Sequence, residues 1–518
     1  MIDYTPQSQL SLNMFKHPFE QELDKENRWV KLAALIPWDS LAAIYSRKLD
    51  AGSGRKSVNI RTVIAALIVK HKLGLDDRGT IEMIQENIYL QYFCGLPSFT
   101  TQPVFDASLF VDIRKRLGGD EFEAFNQRII ESSEQIKPHQ SRIKRKQQQQ
   151  KEEGKDKDKD KDKNDGPEKN DNRGTLKVDA TVADQEITYP TDLKLLNTSR
   201  ENLERIIDLL YLRPADGTKP RTYRRNARKH YLNIAKKKKK TKKQIRRGIR
   251  GQLQYISRDL KIVDSLLLKP GRSELLEKRD RELMATIRKV YSQQKLMYEN
   301  RTHQCENRIV NIFQPHVRPI VRGKDKAKTE FGAKINISEV NGFCRIDRFS
   351  WDAYNESTDL KMQVENFKHT YGCYPRVFLG DQIFLTRENR KYLKEKGIKI
   401  YGKPLGRPPK NDSQTASQKY RDKKEAAKRN HVEGKFGQGK RGYGLNNIMA
   451  RLPETSESWV NAILFVMNLA KLLQVAEKWK GSFALLLKKL KAAIKNLLRL
   501  ELFDKNLLLV PISNSYGV

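Results

Sequence analysis

The run KRKQQQQKEEGKDKDKDKDKNDGPEKNDNR, Lys144–Arg173, contains no apolar side chain able to seed a core. A segment of this kind cannot bury enough apolar surface to offset the entropy of ordering it. Its Lys and Asp alternate and nearly cancel in charge, so it is a hydrated spacer. It therefore divides the 518-residue chain. Residues 1–135 form one unit, 136–173 a disordered charged linker, and everything after Gly174 folds separately.

The rest of the chain is far from neutral. The formal net charge is +38, and it is clustered. A balance this basic excludes an ordinary enzyme of small metabolites and calls for a polyanionic partner, nucleic acid being the commonest. Cys94, Cys305, Cys344 and Cys373 form no C-x-x-C pair, which leaves no zinc ribbon or disulfide framework and suits a reducing interior. The opening MIDYTPQSQLSLNMF has neither a basic start nor an apolar run, so a cytoplasmic protein is expected. The most apolar window, Trp459–Leu473, reads as too short for a membrane span and holds asparagine and lysine.

Residues 1–135 read as helical. NIRTVIAALIVKHKLG (59–74) and TIEMIQENIYLQYFCG (80–95) have helical apolar spacing, and Ser108 is placed to cap a further helix. These helices fit either a helix-turn-helix-like DNA reader or a plain bundle. After Gly174 the pattern becomes period two. Leu176, Val178 and Ala180 lie on one side, with Thr175, Lys177 and Asp179 on the other, the signature of a strand. Asp192 is placed to cap the next helix. Residues 200–315 are a basic helical insertion. Its stretch RTYRRNARKHYLNIAKKKKKTKKQIRRGIRGQ lacks any acid and reads as a basic arm or as a helical face along a phosphate backbone.

Strand patterns return in EFGAKINISEVNGF, with Asn341–Gly342 as a hairpin turn. RVFLGD is a buried-type strand ending in Asp381. QKYRDKKEAAKRNHVEGKFG reads as one helix carrying Glu433, and residues 455–518 as a helical tail. Asp347, between Arg345 and Arg348, reads as half of an ion pair.

The stretch RNHVEGKFGQGKRGYG (429–444) suits phosphate, yet keeps one carboxylate, Glu433. A metal ion between carboxylate and phosphate would remove the repulsion. Asp381 closes a strand, where ligands gather in α/β sheets. If that strand neighbours Asp179, the two aspartates converge, and two unpaired carboxylates would not both ionise. A pair of Mg²⁺ ions resolves this, with Glu433 as a third ligand. Arg429, Lys435, Lys440 and Arg441 would then hold the phosphate backbone. Arg407, in GKPLGRPPK, suits a narrow minor groove or a rigid proline loop equally.

KVDATVADQEITYPTDLKLLN, EFGAKINISEVNGFCRIDRFSWDAYNES, YPRVFLGDQIFLTRENRKYLKEKGIKIYGKPLGRPPK and KRNHVEGKFGQGKRGYGLNNIMARL occur in an order that resembles the DDE transposases of bacterial insertion sequences. PWDSLAAIYS and the segment from Ser57 to Leu96 resemble their helical N-terminal domain. The resemblance implies an α/β fold with an RNase H-like catalytic core at 174–199 and 316–454. It makes Asp179, Asp381 and Glu433 the catalytic, metal-binding acids, served by Mg²⁺ or Mn²⁺, with two ions. Element ends and target DNA would be the substrates, bound by a dimer or larger assembly in the bacterial cytoplasm, associated with the nucleoid. Arg429 and Lys440 fall at the arginine and lysine spacings of the family's Y-R-E-K signature, while Ala426 stands at the tyrosine. The D-x-G-Y motif reads DQIF, with Ile383 in place of glycine.

Overall fold

In the computed structural model the described residues are 3–4, 6, 22–49, 56–136, 172–212, 216–321, 329–401 and 415–506, with side chains described as far as 479. Most of the linker, together with Arg407, lies outside them.

Among the described residues seven helices precede the linker: α1 Arg28–Leu35, α2 Trp38–Ser46, α3 Ile60–Leu73, α4 Asp77–Glu86, α5 Ile88–Phe93, α6 Leu109–Arg116 and α7 Gly119–Ile136. The Asn59 side chain caps α3, and Gly74 ends it at φ 68°, a left-handed conformation that glycine adopts freely. Ser108 does not cap α6. Its hydroxyl donates to Asp106 instead.

The sheet is built from β1 Thr175–Asp184, β2 Arg318–Val321, β3 Thr329–Val340, β4 Phe343–Ser350, β5 Val377–Leu379 and β6 Lys399–Ile400. β1 lies between antiparallel β3 and parallel β5, and β6 continues parallel beyond β5. The outer edge of β3 is shared, with β2 against its first residues and β4 against the rest. The β3–β4 hairpin turns on Asn341 (φ 55°) and Gly342 (φ 92°), the pair of positive φ values that a two-residue hairpin demands. The four-residue β2 escapes sequence reading because it is short and carries Pro319, a residue confined to edge strands.

One sheet face carries Leu176, Val178 and Val340 and packs on α12 Leu360–Tyr371 and α13 Arg387–Glu395. The other packs beneath α15 Asn430–Gly442 and α16 Pro453–Asn506. A separate apolar core joins α8 Asp192–Leu210, α10 Lys242–Leu267 and α11 Lys278–Glu299, with α9 Arg224–Ala235 laid on α10. α8 runs unbroken past residue 200. Thr191, not Asp192, is its cap, and Asp192 instead accepts from Gln294 (2.8 Å) and Arg308 (2.7 Å).

α16 joins the two parts of the chain. Its Phe465 and Leu472 lie in one core with α3, α7 and the sheet residues Ile335 and Phe343. The buried Asn468 accepts from the Cys344 amide (2.9 Å) and donates to the Cys344 carbonyl (2.7 Å) and Asn126 (2.9 Å). The apolar run is longer than its sequence window suggests: Pro453–Trp479 is long and apolar enough to cross a membrane, but 72% of its most apolar stretch is buried in this fold.

Trp459 of α16 also roofs a buried charge cluster. The Arg114 guanidinium makes two 2.8 Å bonds to Asp77, and Lys70 a third at 2.8 Å. The Lys70 ammonium lies 4.5 Å from the Trp459 ring centroid. Burial alone would raise the Asp77 carboxyl, but Arg114 and Lys70 outweigh it and hold its pKa below the ordinary value. A depressed carboxyl stabilises the fold above its unfolded pKa and loses that contribution as pH falls. Asp77→Asn is therefore expected to cost about 3 kcal/mol at pH 7 by leaving buried cations unpaired. The gap to the unmodified protein should close below about pH 4, as followed by denaturant melts across pH.

Gly332 lies where β1, β2 and β3 meet, and a Cβ there would stand 1.9 Å from the Ala183 carbonyl oxygen. Gly332→Ala is expected to lower the thermal midpoint by several degrees, because backbone must move. Gly251→Ala on α10, with nothing within 4 Å, should raise stability by about 0.5–1 kcal/mol. Equal midpoints for the two variants would refute this account of the β1–β3 contact.

Candidate active site

Alternation along β1 buries Leu176, Val178 and Ala180 and leaves Asp179 half-covered on the opposite face. The Ala180 amide donates to the Asp179 carboxylate at 2.9 Å. Burial pushes the Asp179 carboxyl up to about 6; that amide and Arg429 oppose the shift, and Glu356 and Glu433 add to it.

The β1–β5 register sets the second acid. Thr175 pairs with Val377, Leu176 with Phe378 and Lys177 with Leu379. Continued two residues past its last pair, the same offset would bring Asp381, just beyond the end of β5, level with Asp179 in the middle of β1. Asp381 is exposed, and its carboxylate accepts from the Gln382 amide at 2.7 Å, starting a single 3₁₀ turn, Gln382–Phe384. Ile383, on that turn, is 49% exposed, whereas Phe384 is fully buried. The β-branched residue thus points away from the strand end and leaves its packing to Phe384.

The helix expected to carry Glu433 is two helices. α14 Ala416–Ala427, which includes Ala426, buries no residue, while α15 buries Val432 and Gly439. The break at Lys428–Arg429 lets α15 lie on the sheet while α14 stands in solvent. Glu433 falls in the first turn of α15. Arg429 bridges the acids, 2.7 Å from Glu433 and 3.5 Å from Asp179.

Lys440, expected to grip phosphate, is engaged internally by Asp184 (3.2 Å) and Glu330 (3.4 Å). The spacing explains this. Eleven residues of helix from Arg429 to Lys440 rise about 16 Å, and five residues of strand from Asp179 to Asp184 advance about 16 Å. The helix therefore runs alongside the second half of β1, with one cation tied to the middle of the strand and the other to its end. Arg441 is exposed and its Nε donates back to the Gly437 carbonyl at 3.3 Å. Lys435 is half-covered, and its charge acts on Lys471 and Cys344.

Among the described residues no cation forms an ion pair with Asp347. It accepts from Ser338 (3.1 Å) and Gln363 (2.9 Å), and burial pushes it up to about 7. Arg345 and Arg348 pair with Glu123 and Asp359 instead. Glu356 is close enough to act on Asp179. It is bound to Lys334 at 2.8 Å, and nothing local in ESTD marks it out.

Among the described residues no three His, Cys, Asp or Glu side chains lie close enough together to hold a metal ion as they stand. The donor chemistry of Asp179, Asp381 and Glu433 nevertheless fits a hard divalent cation, since all are carboxylate oxygens.

Comparison with known proteins agrees with the resemblance. Residues 378–470 match the family described as transposase DDE domain, which spans Asp381 and Glu433, and residues 17–116 match a transposase domain, DUF772. A protein named "Uncharacterized protein ORF8 in nfe locus", from Rhizobium meliloti, is 24% identical over 186 residues, covering 35% of this chain and 74% of its own length. No solved structure matches. One transposase segment on the N-terminal helices and a DDE segment across β5, α15 and α16 together support an insertion-sequence transposase of the DDE class.

Proposed function

We propose that this transposase cleaves DNA 3′ ends at the termini of its element and joins them to target DNA, using Asp179, Asp381 and Glu433 as its acidic centre. The observation that carries the reading is the Arg429 bridge between Asp179 and Glu433, beside a β1–β5 register that, carried on two residues, would bring Asp381 level with Asp179. The strand order β4–β3–β1–β5–β6, with β1 antiparallel to β3 and parallel to β5, supports an RNase H-like core. The three carboxylates would hold Mg²⁺ or Mn²⁺, as two ions, which when bound lower the pKa of an attacking water or hydroxyl and stabilise the leaving 3′ oxygen.

The chain's own residues do the positioning. Asp179 is fixed by its place in the central strand and by the Ala180 amide. Asp381 is held by its turn, and Glu433 by the Val432 contact that seats α15. Arg429 balances two like charges and stands where a phosphate would approach. Arg441, exposed on the same helix, and Lys435 extend that cationic rim, while Lys440 anchors the helix. Two element ends must be held together, which favours a dimer or larger assembly on duplex DNA.

The test is cleavage and joining of duplexes carrying candidate element ends, with Mg²⁺ or Mn²⁺ supplied. Asp179→Asn, Asp381→Asn and Glu433→Gln should each lower cleavage by more than about 100-fold, beyond the 10–100-fold loss typical of a supporting residue around a metal site. Duplex affinity should hold within a few-fold. Cleavage retained by any of the three removes that residue from the site. Pre-cleaved ends should be joined to target DNA by the unmodified protein; cutting without joining would make it a nuclease.

A further inference from the structure

Between Asp216 and Asp259 the chain carries 17 lysines and arginines and not one acid. Sequence reading left open whether this stretch is a loose arm or a structured face. It is structured: α9 and α10 form a helical hairpin whose tip is the run Lys236–Lys240. Thr241 and Gln244 cap α10 reciprocally. A Cβ on Gly248 would stand 2.6 Å from Ile234, so the glycine lets α9 pack down closely. Gln252 donates to the Ala227 carbonyl (3.3 Å), and Tyr255 bonds His230 (3.0 Å).

The cations divide into two groups. Arg224 and Lys219 are spent on Asp208, Arg246 lies over Tyr298, and Arg258 stacks on Tyr223. By contrast, Arg225, Arg228 and Lys229 on α9, and Lys243, Arg247 and Arg250 on α10, are exposed. So are all five lysines of the tip, and among the described residues no carboxylate pairs with any of these. Each set of three recurs at three- or four-residue spacing, which puts it on one helix face. Such a concentration of unpaired charge repels itself, and a polyanion relieves the repulsion. α9 alone, at 12 residues, spans about 18 Å, a length along which duplex DNA presents about ten phosphates.

We propose that the α9–α10 hairpin is a sequence-independent clamp on the phosphate backbone of duplex DNA, with Lys236–Lys240 as its leading edge. The proposal rests on the reading of the chain as a DNA-acting enzyme and assigns part of the binding to the insertion, apart from the acidic centre. Its contacts are to phosphate, so they hold the duplex without reading its bases.

The experiment uses the full chain with the triple substitution K237Q/K238Q/K239Q, titrated against fluorescent duplex DNA over a range of KCl concentrations. The slope of log affinity against log salt should become shallower by about 2 to 3. Affinity at 100 mM salt should fall by about tenfold or more, equally for candidate element ends and unrelated duplexes. A control, K31Q/K48Q/K361Q, removes the same charge from lysines already paired with Glu26, Glu121 and Glu388, and should change the slope by less than about 1. Melting curves check that both variants fold. An unchanged slope in the hairpin variant, with tight binding by the unmodified chain, overturns the clamp and leaves the proposed function standing. Tighter binding of single-stranded RNA than of duplex DNA also overturns it. No duplex binding by the unmodified chain removes both readings.

Discussion

The parallel pairing of β1 with β5 is the constraint on which the acidic site depends. Side chains alternate across a strand, so a slip of one residue would turn Asp381 to the other face, away from Asp179. The register is secured from both sides. β3 holds β1 over its length through antiparallel pairs from Lys177–Glu339 to Asp184–Gly332, and Phe378 buries its ring among Leu176, Val178 and Phe384. Once Asp179 is held there its environment follows. A carboxylate removed from water and facing other acids resists ionisation, and Arg429 is the cation the chain places against it.

α16 makes the sheet and the N-terminal helices mechanically one object. They share an apolar core through Phe465 and its neighbours, and Asn468 ties α7 to β4 by satisfied buried hydrogen bonds. The polar residues that break up this helix's hydropathy are thus cross-links. A displacement of the N-terminal helices would be transmitted to the sheet beneath α15, because buried polar bonds of this kind are costly to leave unmade.

The excess positive charge is used in two ways. Near the sheet, cations are absorbed: Lys177 by Glu339, Lys440 by Asp184 and Glu330, Arg429 by Asp179 and Glu433. At the tip of the α9–α10 hairpin and along one face of each of its helices they are left in water. The first group shapes the site and the second is available to a ligand, a distinction that net charge does not reveal.

Local chemistry was legible in the sequence at most positions where a residue's task involves only its chain neighbours, Ser108, claimed by Asp106, being an exception. Period two marked β1, Asn341–Gly342 marked the hairpin, and Gly74 ended α3; Asp381 was singled out as a candidate by its strand end, Glu433 by charge contrast, and Asp179 by its place on the less apolar face of β1. What involves partners distant in the chain was not legible. Thr191 displaced Asp192 as a cap because Arg308 and Gln294 claim the aspartate from over 100 residues away. Lys440 was recruited inward by β1 and β3, and Asp347 lost its adjacent arginines to Glu123 and Asp359. The sequence by itself determined most element types, offered Asp179, Asp381 and Glu433 as candidate acids and marked the cationic stretch, since these follow from backbone preference and composition. Only the tertiary structure decided which charges neutralise one another, because pairing depends on separations in space that chain order does not encode.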